Sequence, residues 1–403
     1  MSFQTGLSGL NAASRNLDVI GNNIANANTT GMKASRTEFA DIVAASTGGT
    51  GGNAAGIGVE VAAVTQQFSQ GNINITGRDL DLAINGGGFF QLEMPDGTAA
   101  YTRDGSFKLD KTGNLVTNKG AHVMGYPTDL LGVATSTTIQ RLQLPTSAPI
   151  AANQTTAIVA EFNLDARAPV AASVVPPTPR TTYGTSLTAY DSQGVALPVN
   201  LYFERVATTG TDNWDVYDVA TGGAPVGQLN FDATGTLVSS SLATLTLTPL
   251  PPSIVPAFSP TVDVTNATQY GAGFSVSNLT QDGYAPGEFV GLKIGPDGVI
   301  VARYSNGETQ AGGQVSLADF RNVQGLTPTG GGNWIESSAS GQPIQGAPGQ
   351  GKLGALNAGA LEESNVDVTE ELINMMTAQR AYQANAQTIK TQDQVLSTLV
   401  NLR

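Results

Sequence analysis

Residues 363–403 read ESNVDVTEELINMMTAQRAYQANAQTIKTQDQVLSTLVNLR. Val368, Met375, Tyr382, Ile389 and Leu396 recur every seven residues. A second series runs Leu372, Gln379, Ala386, Asp393 and Val400, with Leu399 beside it. Seven-residue recurrence aligns side chains in one stripe along a helix. Asp367 stands where a helix cap belongs, and Glu370 three residues on completes a capping-box pattern. Neither Gly nor Pro interrupts 367–403, so the spacing predicts one helix roughly 55 Å long at about 1.5 Å per residue.

The other end of the chain carries a matching pattern. Phe3, Leu10, Leu17 and Ile24 also recur every seven residues. Leu7 lies between the first two, and Ala13, Ile20 and Ala27 flank the line. The small residues Ser14 and Gly21 are expected to let a second helix approach. The end of this stretch, LDVIGNNIANANTTG (17–31), is rich in Asn and Gly, which are poor in helix interiors. Such a helix needs packing to persist. The two terminal helices can pair, but the apolar faces at 372–376 and 395–402 are wider than one partner covers. Each uncovered Leu or Ile forgoes about 1.5–3 kcal/mol. Burial against copies of the same chain is therefore expected. The candidate subunit-interface residues are Phe3, Leu7, Leu10, Leu17, Ile20 and Ile24 from the first helix. From the second they are Leu372, Met375, Met376, Tyr382, Ile389, Leu396, Leu399 and Val400.

Between the ends the pattern turns to strands. GGFFQLEMPDGTAAYTRDGSFKLDKTGNLVTNKG (87–120) holds Asp96-Gly97 and Asp104-Gly105, both expected as hairpin turns between short alternating runs. EFVGLKIGPDGVIVARYSNGET (288–309) repeats the design with Asp297-Gly298 and Asn306-Gly307. These two regions are expected to form one antiparallel β domain, interrupted by an insertion at 147–283. The insertion contains three Arg, ten acids and no Lys. Pro clusters at 176–179 and 250–252, and the strand-like runs 199–206 and 214–219 mark it as a separate β domain. The fold class is α+β and multidomain.

Composition restricts the chemistry. The 403 residues are 40% hydrophobic and 13% charged, with a net charge of −13. An acidic chain without Lys/Arg clusters points away from nucleic acid and anionic lipid. No run is long and apolar enough for a membrane helix, so no membrane insertion is expected. The N-terminus lacks the basic and apolar regions of a cleaved signal peptide. Without cysteine there is no disulfide, thiolate metal site or thiol nucleophile. His122 is the only histidine and lies in a turn-rich β context, which leaves no histidine-based metal cluster. GAPGQGK (346–352) matches a phosphate-loop spacing, but Leu353 stands where Ser or Thr must hold magnesium. NGGGFF (85–90) lacks the helix that anion binding needs. No carboxylate pair stands out by spacing. The residues point to no cofactor and no enzyme.

Three long segments carry a resemblance. SGLNAASRNLDVIGNNIANANTTGMKASRTEF (8–39), TGRDLDLAINGGGFFQL (76–92) and 363–403, in that order, resemble the rod and hook family of bacterial flagellar axial proteins. Length and the large insertion resemble the hook members more than the shorter rod members. The resemblance implies terminal helices from many subunits packed as a coiled-coil inner layer around a channel, with two mainly antiparallel β domains nested outward. It implies a division into 1–27 with 367–403 (helical), 28–70 with 352–366 (connecting), 71–146 with 284–351 (inner β) and 147–283 (outer β). The implied function is a self-assembling curved tube that acts as a universal joint, passing torque from rod to filament. A distal rod or hook–filament junction role is the alternative. Implied partners are further copies in a helical polymer, the rod, cap and junction proteins, and the flagellar export apparatus. The implied location is extracellular. In the 17–31 stretch, Asn22, Asn23, Asn26 and Asn28 are expected to hydrogen-bond backbone where the helix stops.

Overall fold

The computed structural model describes residues 2–43, 56–145, 149–173, 178–207, 212–249 and 254–401. The Gly-rich stretch 48–55 and the Pro-rich stretch 250–252 lie outside them. The chain divides into two compact units. One comprises Met1–Ser147, Gly291–Ala302 and Thr309–Arg403, and the other Ala148–Val290 and Arg303–Glu308.

The first unit begins and ends with long helices, α1 (Ser2–Ala25) and α2 (Val368–Asn401). Asp367 caps α2: its carboxylate accepts from the N–H groups of Thr369 (2.8 Å) and Glu370 (3.3 Å). After α1 the chain forms a two-stranded antiparallel ribbon, Ser35–Val43 with Gly56–Gln66. A larger sheet follows. Chain from before and after the second unit interleaves in it: Thr309–Val315 pairs with His122–Tyr126, Leu317–Asp319 with Phe89–Glu93, and Asn333–Ile335 with Ala99–Thr102. Its core is aromatic. Phe68, Phe89, Tyr101, Phe320 and Trp334 meet edge-to-face at centroid distances of 4.7–6.2 Å. The Trp334 indole donates to the Gln66 side chain at 2.6 Å, which ties the end of the ribbon to this core.

The second unit holds two sheets. Gly184–Tyr190, Ala196–Val206, Asp212–Tyr217, Gly227–Phe231 and Leu237–Ser240 pair antiparallel in sequence order. Ala157–Asp165 centres the other sheet, antiparallel to Ser275–Gln281 and parallel to Thr261–Asp263 and Thr268–Tyr270. Alternate residues of both sheets point inward. Ile158, Phe162 and Leu164 meet Phe203, Trp214, Val216, Leu229 and Phe231 in one buried cluster.

One loop design serves both units. In Asp110–Asn114 and Asp232–Thr236 the N–H of the fourth residue, Gly113 or Gly235, returns to the Asp carbonyl, and these glycines sit at φ 83° and 81°. Each Asp carboxylate accepts the N–H groups two and four residues on, at 2.8–3.0 Å. This is a three-residue hairpin loop closed by a left-handed glycine. Asp129-Leu-Leu-Gly and Asp191-Ser-Gln-Gly repeat it. Gly97, Gly298 and Gly307 close equivalent loops. Asp104-Gly105 does not, contrary to the sequence expectation. The Gly105 carbonyl accepts from Leu82 N–H at 3.0 Å, and an added Cβ would stand 1.7 Å from the Leu82 carbonyl oxygen. That glycine is required by a backbone crossing, not by a turn.

Hydrogen bonds from Asn114 and Thr112 hold the Asp110 carboxyl below the usual carboxylate range, and those from Thr234 and Thr236 do the same for Asp232. A depressed folded value means stability that is present above the unfolded Asp range, near 3.9, and is lost as pH falls through the folded value. The melting temperature of Asp232→Asn is therefore expected below wild type at pH 6. The gap should narrow below about pH 4, where the carboxyl of the unfolded wild-type chain takes up a proton while that of the folded chain stays ionised. A gap independent of pH between 6 and 2 would contradict this.

Candidate assembly surface

α1 and α2 pair antiparallel. Gly6 faces Ile389, Gly9 faces Asn385, and Asn23 reaches Glu371. The α1 seam runs Gly6, Gly9, Ala13, Asn16, Ile20 and Asn23, spaced three and four apart. The α2 seam runs Glu371, Met375, Ala378, Tyr382, Asn385, Ile389 and Gln392 on the same spacing. A Cβ added at Gly9 would lie 2.8 Å from the Asn385 side chain, and one at Gly6 would lie 3.2 Å from Ile389. These glycines set the close approach. Gly21 was expected to do so, but it has nothing within 4 Å of a built Cβ.

The seam is tight and is built mostly of Gly, Ala and amides, with Ile20, Met375 and Ile389 as its large apolar members. Most of the large apolar side chains point elsewhere. Phe3, Leu7, Leu372, Ile373, Met376, Val395 and Leu396 are 43–54% exposed. Leu10, Leu17 and Ile24 are half-buried beside the α1 seam. Ile20 is buried within its own chain, and Met375 and Ile389 lie in the seam. The side chains of Leu399 and Val400 are outside the described residues. Within one chain Ile20, Met375 and Ile389 thus lie along the seam, and Tyr382, 38% exposed, lies at its edge. The structure leaves Phe3, Leu7, Leu372, Met376 and Leu396 turned outward, joined by Ile373 and Val395.

Polar groups fix where the helices begin and end. Asn23 is fully buried. Its amide donates to the Ser35 carbonyl (2.8 Å) and to the Glu371 carboxylate (2.7 Å), and its oxygen accepts from Ser35 N–H (2.9 Å). One side chain therefore joins α1, α2 and the ribbon. Asn26 bonds back to the Asn22 carbonyl (3.0 Å), and Asn28 is exposed. Asn365, just before α2, accepts from Ala34 N–H (2.7 Å) and donates to the carbonyls of Gln67 and Ser69.

Beneath these lies an ion cluster that sequence reasoning missed. The Glu362 carboxylate accepts from Lys33 Nζ (2.6 Å), Arg103 Nη1 (3.0 Å) and Gly71 N–H (3.0 Å). Lys33 and Glu362 are 0% exposed and Arg103 is 5% exposed. Arg103 also donates to the Gly86 carbonyl at 2.8 Å, and its guanidinium stands 5.4 Å from the Phe89 ring centroid. Burial depresses the Lys33 ammonium below its ordinary value, and Glu362 opposes that shift.

No group of His, Cys, Asp and Glu among the described residues could hold a metal ion, and no helix there is long and apolar enough to cross a membrane. In the 346–352 loop, strand Ile344–Gly346 leads into Ala355–Ala358 and not into a helix. His122 sits opposite Glu93 in paired strands. What the arrangement offers is a surface of exposed apolar side chains on α1 and α2.

Comparison with known proteins agrees along the whole chain. Residues 83–159 match the model "Flagellar hook protein FlgE/F/G D1 domain" and 163–284 match "Flagellar basal body protein FlaE D2 domain". The ends match "Flagella basal body rod protein" (3–33) and "Flagellar basal body rod FlgEFG protein C-terminal" (357–402). The chain is 42% identical over 419 residues to flagellar hook protein FlgE of Escherichia coli, covering all of both chains. To FlgE of Salmonella typhimurium it is 41% identical, again over the full length of both. To that of Rhizobium meliloti it is 35% identical, over all of this chain and 98% of the other. The crystal structure of Helicobacter pylori flagellar hook protein FlgE2 shares the fold at TM-score 0.56 and 16% identity. It covers 72% of this chain and 100% of that one.

Proposed function

The chain belongs to the flagellar hook protein FlgE family, and we propose that it is the repeating structural subunit of the bacterial flagellar hook, polymerising into a curved tube that passes torque from rod to filament. The observation that carries the mechanical reading is the outward apolar stripe of α1 and α2. A tight seam within each chain leaves Phe3, Leu7, Leu372, Ile373, Met376 and Leu396 for neighbours to cover. We read 1–27 with 367–403 as the inner layer, 28–70 with 352–366 as the connection, 71–146 with 284–351 as the inner β domain and 147–283 as the outer one. Export in an unfolded state, and contact with rod, cap and junction proteins, belong to the same reading.

The division of labour proposed here is mechanical. Helices packed along their length carry torsion. The outer domains touch neighbours through surfaces that slide as the tube bends. The charge pattern of 147–283 supports this: its three arginines are each spent on an acid of the same domain, Arg167 on Asp165, Arg180 on Glu204 and Arg205 on Asp212. With no spare cation, one outer domain has little with which to form directional ion pairs to the next, and such pairs would resist sliding. Deleting 147–283 is expected to leave tubes that are straighter and of changed bending stiffness, read from thermal shape fluctuations. Unchanged curvature and stiffness would remove the sliding role. The reading as a whole is tested by electron microscopy of the purified chain under polymerising conditions. Curved tubes are expected, and straight tubes would favour a rod role.

A further inference from the structure

Five separate pieces of the first unit converge on the Glu362 side chain and its partners. Lys33 follows α1. Ser69 and Gly71 follow the ribbon; the Ser69 carbonyl accepts from Lys33 at 2.8 Å, and Gly71 donates to the carboxylate. Arg103 and Gly86 belong to the β sheet side. Glu362 itself is the last residue of the strand Ala360–Glu362, five residues before the cap of α2. Its backbone carbonyl also accepts from Gly31 N–H at 2.8 Å.

Among the described residues no other ion pair is so deeply enclosed: the remaining pairs all keep part of at least one partner in water. Withdrawing three charges from water costs several kcal/mol per ion. Apolar side chains of similar volume commonly fill such a site at no loss of stability. Stability alone does not account for the cluster. Charge-assisted bonds with fixed directions supply something packing does not, namely a defined angle between the segments they join. Here those segments are the roots of both terminal helices and the edge of the β sheet.

We infer that Glu362, with Lys33 and Arg103, is the torsional coupling of the subunit: it sets the angle at which α1 and α2 leave the β sheet and transmits twist between the two layers. This rests on the hook-subunit reading. The residues position the helices and contact no neighbour in doing so.

The chain has no cysteine, so a pair of spin labels can be placed cleanly at Gln383→Cys on α2 and Lys111→Cys on the sheet side, both exposed positions. Doubly labelled chains are diluted into unlabelled wild type, assembled into tubes, and the distance distribution within a chain is read by pulsed electron resonance. With Glu362 intact a single narrow distribution is expected. With Glu362→Gln its width should at least double. With Glu362→Asp, which keeps the charge and shortens the arm by one methylene, the mean should shift while the width stays narrow. Exclusion of folded Glu362→Gln chains from mixed tubes is the same effect at its extreme. An unchanged mean with Glu362→Asp, or an unchanged width with Glu362→Gln, overturns the coupling. Failure of wild-type chains to form tubes counts against the hook reading, whereas unaltered distances within tubes count against the coupling alone.

Discussion

Replacing Leu372 and Met376 together by Asp is expected to abolish tube formation while leaving the fold of the single chain intact. Both side chains are about half exposed, 48% and 53%, and face away from the α1 seam. About half of each side chain is left uncovered within the chain. In the proposed tube both are covered by neighbours. Each substitution then forfeits roughly 1 kcal/mol of remaining apolar burial and places a carboxylate without a partner in a low-dielectric contact, which costs several kcal/mol more. A penalty above about 3 kcal/mol per subunit raises the concentration needed for polymerisation more than about a hundredfold. Sedimentation should find the variant in the supernatant, and its melting transition should match wild type. Removing 396–403 is expected to act in the same direction, with the β sheets still folded. Tubes of normal form and yield from either variant would sink the interface assigned to these helices.

The second large effect is expected inside the chain. Glu362→Gln removes the carboxylate that pairs with both Lys33 and Arg103, two cations held out of water. Breaking a buried pair by deleting one partner typically costs 3–5 kcal/mol, because the remaining charge stays uncompensated. At roughly 2–4 °C per kcal/mol for a body of 150–250 residues, the first unit should melt about 6–20 °C lower. The second unit has its own core, and its transition should move little. Differential scanning calorimetry resolves the two. Loss of less than about 1 kcal/mol would mean that the cluster is open to water and is not the buried hub described.

How much of this was legible in the sequence follows from what kind of residue made each feature. The terminal helices were readable because Phe3, Leu10, Leu17, Ile24 and their C-terminal counterparts are large, apolar and periodic. The cap at Asp367 was readable because its chemistry is local. The seam between the helices was half readable: Met375 and Ile389 belong to the periodic series of α2, whereas Gly6, Gly9, Ala13, Asn385 and Glu371 carry no hydrophobic signal. The sequence pattern therefore directed attention to the large apolar residues and to Gly21, while the close approach of the helices is set by small and polar residues beside them. The ion cluster was illegible for a different reason. Lys, Arg and Glu are ordinarily surface residues, and Lys33 and Arg103 stand 329 and 259 positions from Glu362. The loops were half readable. An Asp-Gly pair is a hairpin signal at Gly97 and Gly298 but not at Gly105, where a backbone crossing demands the same residue. A second rule, Asp at the first position and Gly at the fourth, serves the loops at Asp110, Asp129, Asp191 and Asp232 and is visible only once the carboxylate's two N–H partners are known.

A seam built mostly of glycine, alanine and amides holds α1 and α2 close but does not by itself keep them folded, since isolated helices without apolar packing are marginal. The most direct test is amide hydrogen exchange on the same chain, dilute and assembled. In dilute solution the amides of Ser2–Ala25 and Val368–Asn401 should exchange rapidly while those of Ala196–Val206 and Phe89–Glu93 stay protected. In tubes the helical amides should slow by at least about a hundredfold, the protection that about 3 kcal/mol of neighbour contact confers. Helical amides as slow in the dilute chain as in the tube would contradict an inner layer made stable by sister subunits.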